Sequence, residues 1–288
     1  MKLAINKSKT LVLAFLICSA SASMARQAEE EKKYGWTKSI VAGLNVTQVS
    51  FDNWVQGGDD AFAWQLNVNS KFVNDQEKTN WATSGKLTYG RTKVGDQGSR
   101  KSVDEIKIET VFTYKLGDLV NPFVAATGLT QFADGFQYDT DPPQQTSAFF
   151  DPAFFTQSVG FGYKASESFS SRVGFALKET ITRDFPQPYA DDPATQKIEK
   201  TKVEAGLESS TELSQKLSKN ILLNSKLELF SNLEAFDETD VNWDNTFSAK
   251  VSKYIDVNFN VRVLYDKDID TRRQIKQALA IGLTYTFL

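Results

Sequence analysis

The chain has 288 residues and a formal charge of −3, with 24% charged and 12% aromatic side chains, one cysteine and no histidine. Without imidazole, Ser-His-Asp and Cys-His catalysis, histidine zinc sites and haem ligation by histidine are excluded. A mildly acidic balance argues against nucleic acid as a partner, and a single thiol allows neither an internal disulfide nor a cysteine metal site.

Residues 1–25 read as a secretory signal peptide. Lys2, Lys7 and Lys9 form a basic start, and residues 11–18 (LVLAFLIC) an apolar core too short to span a bilayer. Ala20-Ser21-Ala22 or Ser23-Met24-Ala25 offers a cleavage site. Ile17 precedes Cys18 where a lipoprotein signal carries a small residue, so no lipid anchor is expected. Residues 26–35 (RQAEEEKKYG) are charged and read as a disordered periplasmic lead-in.

From Trp36 onward the period is two. Phe62, Trp64, Leu66 and Val68 alternate with Ala63, Gln65, Asn67 and Asn69, and Val257, Phe259, Val261 and Val263 alternate with Asn258, Asn260, Arg262 and Leu264. Such alternation marks strands with one apolar face. Twelve segments show it: about 36–49, 61–72, 80–90, 104–115, 119–132, 153–164, 169–181, 200–213, 220–232, 241–252, 256–266 and 274–288. Every second connection is short (74–79, 116–118, 165–168, 214–219 and 253–255). The others are mostly longer and rich in Gly, Pro and Asp, including 91–103, 133–152 and 182–199. Short turns at one end and long loops at the other are the plan of a bacterial outer-membrane barrel. The expectation is one all-β domain over 36–288, an antiparallel up-and-down transmembrane β-barrel of twelve strands. Ten or fourteen are the alternatives, because 133–152 and 182–199 have room for another hairpin.

The apolar register of these segments is free of charge, as a lipid face must be, since a midplane Lys or Arg costs about 2–4 kcal/mol. Tyr89, Tyr114, Tyr163, Tyr265, Tyr285 and Phe287 gather near segment ends, as interfacial girdles do. The opposite register supplies the lumen-lining candidates Lys86, Lys107, Glu109, Arg172, Lys178, Lys202, Glu204, Glu208, Lys226, Glu228, Lys250, Arg262 and Lys276, with Lys71 beside them. Cations exceed acids in that set. An open lumen would therefore be a narrow, slightly cation-lined pore with weak anion preference. A closed one would have these charges paired with each other, with further inward acids and with loops. Lys202, Glu204, Glu208, Lys226 and Glu228 are placed to neutralise one another across one hairpin. Glu204 with Glu228 is the best pair of carboxylates for a histidine-free hydrolase, though ion pairing explains both more simply. No catalytic residue, cofactor or metal site is expected. The acidic loop positions Asp59-Asp60 and Asp191-Asp192 lack the dense ligand spacing of a calcium loop.

In the first long connection, SFDNWVQGGDD, Trp54, Gly57 and Gly58 are the candidate loop plug or anchor: glycine allows a sharp or inward turn and tryptophan suits the headgroup region. At the other end, GLTYTFL places Gly282, Tyr285 and Phe287 in a pattern that resembles the signal read by the barrel-assembly machinery. Leu288 follows where a strict match ends on the aromatic.

The fragments NVTQVSFDNWVQGG (45–58), NWATSGKLTYG (80–90), SVDEIKIET (102–110), TQFADGF (130–136) and FFDPAFFTQSVGFGY (149–163) resemble an outer-membrane β-barrel family of Bacteroidota and their relatives that carries the label of a domain of unknown function. That resemblance implies a barrel and no established activity. The reading is a small porin-like channel or loop-plugged pore in the bacterial outer membrane, with long loops extracellular and short turns periplasmic. Its partners are outer-membrane lipid, lipopolysaccharide and, during biogenesis, the barrel-assembly machinery. The alternative is a non-conducting structural or assembly platform.

Overall fold

The computed structural model describes residues 34–52, 58–236, 239–267 and 270–287. The segment 1–25 expected to be a signal peptide, the expected lead-in up to residue 33, Trp54 and Gly57 lie outside them.

Twelve strands close into an antiparallel barrel: β1 (Gly35–Val49), β2 (Ala61–Asp75), β3 (Thr79–Val94), β4 (Arg100–Tyr114), β5 (Val120–Thr130), β8 (Ala153–Ser166), β9 (Phe169–Ile181), β10 (Thr201–Lys216), β11 (Ile221–Asn232), β12 (Thr239–Lys250), β13 (Ile255–Asp266) and β14 (Asp270–Thr286). Each pairs with its barrel neighbours, and β14 returns to β1. Region 133–152 does hold an extra hairpin, β6 (Gly135–Gln137) with β7 (Gln144–Ser147), but the two pair with each other and stay out of the wall. The wall thus keeps twelve strands. A four-residue helix, α1 (Pro186–Tyr189), sits in the connection after β9.

The strands run longer than their apolar alternation. β3 and β4 extend to Val94 and start at Arg100, which shrinks the expected loop 91–103 to residues 95–99. Polar residues continue the ladder there because backbone pairing, once begun, needs no apolar side chain. The expectation of an outer face free of charge is also corrected, in the extension of β3 and inside segment 169–181 alike. Arg91 lies opposite Trp64 on the outer row, and Glu179 opposite Phe155 and Val203. Both stand at the long-loop end, and Arg91 is tied to the Ser99 hydroxyl and carbonyl. The uncharged band occupies the middle of the wall and ends in a charged rim.

The polarity is inverted relative to a soluble domain. Leu279 is 71% exposed on the outside, and Phe175 and Val203 are similarly bare. Inside, Glu105, Glu109, Glu204, Ser158 and Ser210 are buried. Period-two alternation explains both rows at once, since neighbouring side chains on a strand point to opposite faces.

Closure is uneven. The β1–β2 ladder runs the whole length of β1, from Gly35↔Asp75 to Val49↔Ala61. The β1–β14 ladder covers only Val41↔Thr286 to Asn45↔Gly282, with Phe287 N donating to the Ile40 carbonyl at 2.9 Å. Gly282 is the last paired residue of that stretch, and a Cβ there would stand 2.0 Å from Asn45 Oδ1. Beyond it, towards the long loops, no pairing joins the two strands among the described residues. Val46, Thr47, Gln48 and Val49 are exposed irrespective of face, and so are residues 271–277 of β14. The seam is therefore laced at the short-turn end and parted above it.

Paired cysteines test this. G43C with T284C, register partners in the laced part, is expected to cross-link under mild oxidation. T47C with A280C, which would face each other if the ladder continued, is expected to stay reduced, since a disulfide needs Cα atoms within about 7 Å. Efficient cross-linking of the second pair, read by gel mobility, would show that the seam is paired throughout.

Candidate functional site: the ionic lumen and its vestibule

The inward row of β4 carries Glu105, Lys107 and Glu109, two residues apart and on one face. Each reaches strands elsewhere on the circumference. Lys107 Nζ lies 2.6 Å from Glu228 Oε1 of β11. Glu109 accepts from Arg172 of β9 and from Lys226 of β11, the latter at 2.5 Å. Glu105 accepts from Arg262 of β13 and pairs with Lys86 of β3 at 3.0 Å. Lys86 Nζ also stands 3.5 Å from Asp244 of β12. Asn242 links the groups, donating to Glu228 at 2.7 Å and accepting from Arg262 Nε at 2.9 Å. Asn260 donates to Asp244. A continuous network of charges thus crosses the lumen through β3, β4, β9, β11, β12 and β13.

A second group lies nearer the long loops. Lys178 of β9 meets Asp240 at 2.6 Å, Asp266 at 3.5 Å and Glu204 at 3.8 Å, and Lys202 meets Glu204 at 3.2 Å. Glu208 lies 3.5 Å from Arg172 and accepts from the Ser158 hydroxyl. Of the remaining candidates, Lys250 and Lys71 are exposed towards the short-turn end, and Lys276 lies beside Arg262 on β14.

The acids Glu105, Glu212, Asp240, Asp244 and Asp266 were not counted among the lumen-lining candidates, and they offset the excess of cations in that set. Their signal was present: each shares the inward register with a residue that was named, as Glu105 does with Lys107. Pairing across the β10–β11 hairpin is the smaller part of the pattern. Lys226 does meet Glu212 at 3.0 Å, but its shortest ion pair crosses to Glu109. The carboxylates of Glu204 and Glu228 do not form a catalytic pair. The ladder sets Ser210 opposite Glu228, which places the two roughly 20 Å apart along the strands at about 3.4 Å per residue. Among the described residues no cluster of three or more His, Cys, Asp or Glu is placed to hold a metal.

Above the network lies a cavity of 340 Å³ lined by Lys101, Ser102, Val103, Asp104, Glu105, Gln131, Ser147, Arg262 and Lys276. Its rim is braced by short polar clamps. Asp104 accepts from the backbone N–H of Phe132 and Ala133, both at 2.8 Å, and pairs with Lys101, whose amine also donates to the Ala133 carbonyl. Gln131 Nε2 donates to the carbonyls of Ala148 and Pro152. Asp151, 1% exposed, accepts from Arg183 N at 3.0 Å and Asp184 N at 2.8 Å, joining the two longest loops. Burial, with the Asp151 carboxylate adding to it, pushes the nearby Tyr189 phenol above its ordinary pKa. SVDEIKIET, TQFADGF and FFDPAFF thus meet in one loop base.

The first loop is fastened too: Asp60 Oδ1 accepts from Phe51 N at 2.7 Å, and Gly58, at φ +132°, lies against the Phe51 ring with no room for a Cβ. Outside, Trp64, Tyr89, Phe132, Phe149, Phe150 and Phe155 follow one another with ring centroids 5.7–6.2 Å apart. At the opposite end Tyr285 and Phe287 pack edge to face at 4.8 Å.

Two families match parts of the chain: "Protein of unknown function (DUF3078)" over residues 46–136 and "Protein of unknown function, DUF481" over residues 154–287. Most of the fragments quoted for the sequence resemblance fall in the first. No curated protein matches. Similar solved structures include the translocator domain of the autotransporter NalP from Neisseria meningitidis (10% identity, TM-score 0.40, 89% of this chain and 90% of that one). The NanC porin shares 8% identity at TM-score 0.40, over 85% of this chain and 98% of its own. The COG4313 outer membrane channel from Pseudomonas putida F1 shares 12% at TM-score 0.39, over 91% and 98%. The barrel itself rests on its own closed ladder.

Two substitutions test these contacts. E109Q strips the charge that Arg172 and Lys226 share, and breaking a buried pair from one side costs about 3–5 kcal/mol. A lowered urea midpoint in detergent is expected, and an unchanged one would remove the network as a stabilising feature. D151A loses two hydrogen bonds to a charged acceptor, about 1.5–3 kcal/mol each. Trypsin is then expected to cut at Arg183, Lys197 or Lys200 while the barrel stays resistant; equal protection of both proteins would show that Asp151 does not hold the loop.

Proposed function

We propose that the chain is an integral outer-membrane β-barrel of porin-like build whose lumen is held shut at its waist by ion pairs. The observation that carries this is the network from Arg172 and Glu109 through Lys226, Glu228, Asn242 and Arg262 to Glu105 and Lys86. Side chains from distant strands meet there, so a hydrated solute passes only where pairs part. The bilayer assignment is supported by the uncharged outer band, by charges confined to the rims and by the exposed aromatic row. In this reading the long loops face outward, and the described termini, Tyr34 and Phe287, lie at the periplasmic end with the short turns. Lipid covers the band, lipopolysaccharide the outer rim, and Tyr285 with Phe287 serves recognition by the assembly machinery. The lumen is a closed ionic core with no role in catalysis.

Paired acids and bases leave little net field along such a path, so weak ion selectivity follows from electroneutrality. In planar bilayers the wild type is expected to show little or no conductance. K107A combined with E228A removes one cross-lumen pair with no change in net charge, and its conductance is expected to rise several-fold. Porin-like conductance of the wild type, or an unchanged double variant that has folded, would refute the closed waist.

A further inference from the structure

Lys276 differs from its neighbours in the network. It stands opposite Arg262 on the inward row and lines the vestibule cavity. Yet among the described residues it makes no ion pair or hydrogen bond. Arg262 is committed to Glu105 and Asn242, and Lys86 is shared between Glu105 and Asp244. Lys101 is held by Asp104. The cavity lining therefore carries three cations and two acids, and the surplus charge belongs to Lys276. It sits on the strand whose edge is unlaced: β14 has no ladder to β1 beyond Gly282, and Val46, Val49, Ile275, Leu279 and Ile281 flank the parting as exposed apolar side chains.

We propose that this cavity binds the head group of a monoanionic amphiphile, with Lys276 as its counter-charge, and that the apolar tail leaves through the parted half of the β1–β14 seam. Three physical demands meet in that one ligand. The lone ammonium, on the exposed half of β14, calls for a single negative charge. The polar cavity takes a head group and its water. The seam, which in hydrocarbon leaves backbone groups unpaired, is the one part of the described wall where an inward cation adjoins a gap edged by apolar side chains. A small hydrophilic anion would leave the seam unfilled, and a neutral lipid would leave the ammonium unmatched.

The inference rests on the membrane-barrel reading above, and its test is separate from conductance. Full-length protein in lipid nanodiscs is titrated with decanoate, acetate and 1-decanol by calorimetry, as wild type, K276Q, K276R and the surface control K197Q. Lys276 has no partner to lose, so K276Q is expected to retain the heat-resistant gel mobility of the folded barrel. Saturable decanoate binding is expected for wild type, K276R and K197Q, and affinity about tenfold weaker for K276Q, the scale of one hydrogen bond to a charged group. Acetate and decanol are expected to show no saturation. Equal decanoate affinity in K276Q, acetate binding as tight as decanoate, or no saturable binding to the wild type would each overturn the site. In the last case a wild type that keeps its heat-resistant gel mobility leaves the barrel reading standing, and free conductance would remove the closed waist alone.

Discussion

A wall of strands in hydrocarbon has no water to take its backbone hydrogen bonds, so each strand must find a partner on both sides. In the membrane reading proposed above, that demand organises the rest of this molecule. It explains why the ladders continue past the apolar alternation, as in β3 and β4, and why β14 returns to β1. It also explains why β6 and β7, which join no wall strand, sit in a long connection. With the backbone satisfied in the wall, the side chains are left to meet two different surroundings, in the proposed reading lipid without and a polar lumen within.

The inner row replaces the apolar core of a soluble domain with ion pairs, a solution whose energetics differ. Each buried charge carries a desolvation cost that its partner only partly offsets. Such a core adds little net stability compared with a hydrophobic one, yet it punishes the loss of any single member. Glu109 is the clearest case, since two cations depend on it. The network also resists collapse and leakage together: its pairs span the lumen, so they hold opposite walls at a set distance while filling the space between them.

Much of this was legible in the chain itself. Alternation marks the strands because a half-buried strand repeats every two residues, and the inward register already held Glu105 and Asp244 beside the residues that were named. Which charges meet was not legible. Lys107 and Glu228 are 121 positions apart, and their encounter depends on strand tilt and stagger, which no local pattern encodes. The Glu204–Glu228 pair failed for the same reason in reverse: neighbouring strands do not imply equal height. Asp104, Gln131 and Asp151 lay inside fragments marked by resemblance, but their shared task of bracing the loop base shows only when three connections are seen together. The seam was invisible too, because alternation in residues 274–288 says which face a side chain takes and nothing about whether the edge is paired.

The seam is where the two organising demands stop agreeing. Along the cross-lumen network the strand edges are laced and the charges behind them are paired. At β14 above Gly282 the edge is open, and Lys276 behind it has no ion pair among the described residues. The two departures reinforce each other physically. A gap in the wall admits water or a ligand group that can solvate a lone ammonium, and a lone ammonium draws polar groups to a gap that hydrocarbon alone would leave unsatisfied. Lacing the strands fully would strand the charge, and neutralising the charge would leave the gap without a polar occupant. Departures from local consistency that support one another in this way are characteristic of places that are used and not merely folded.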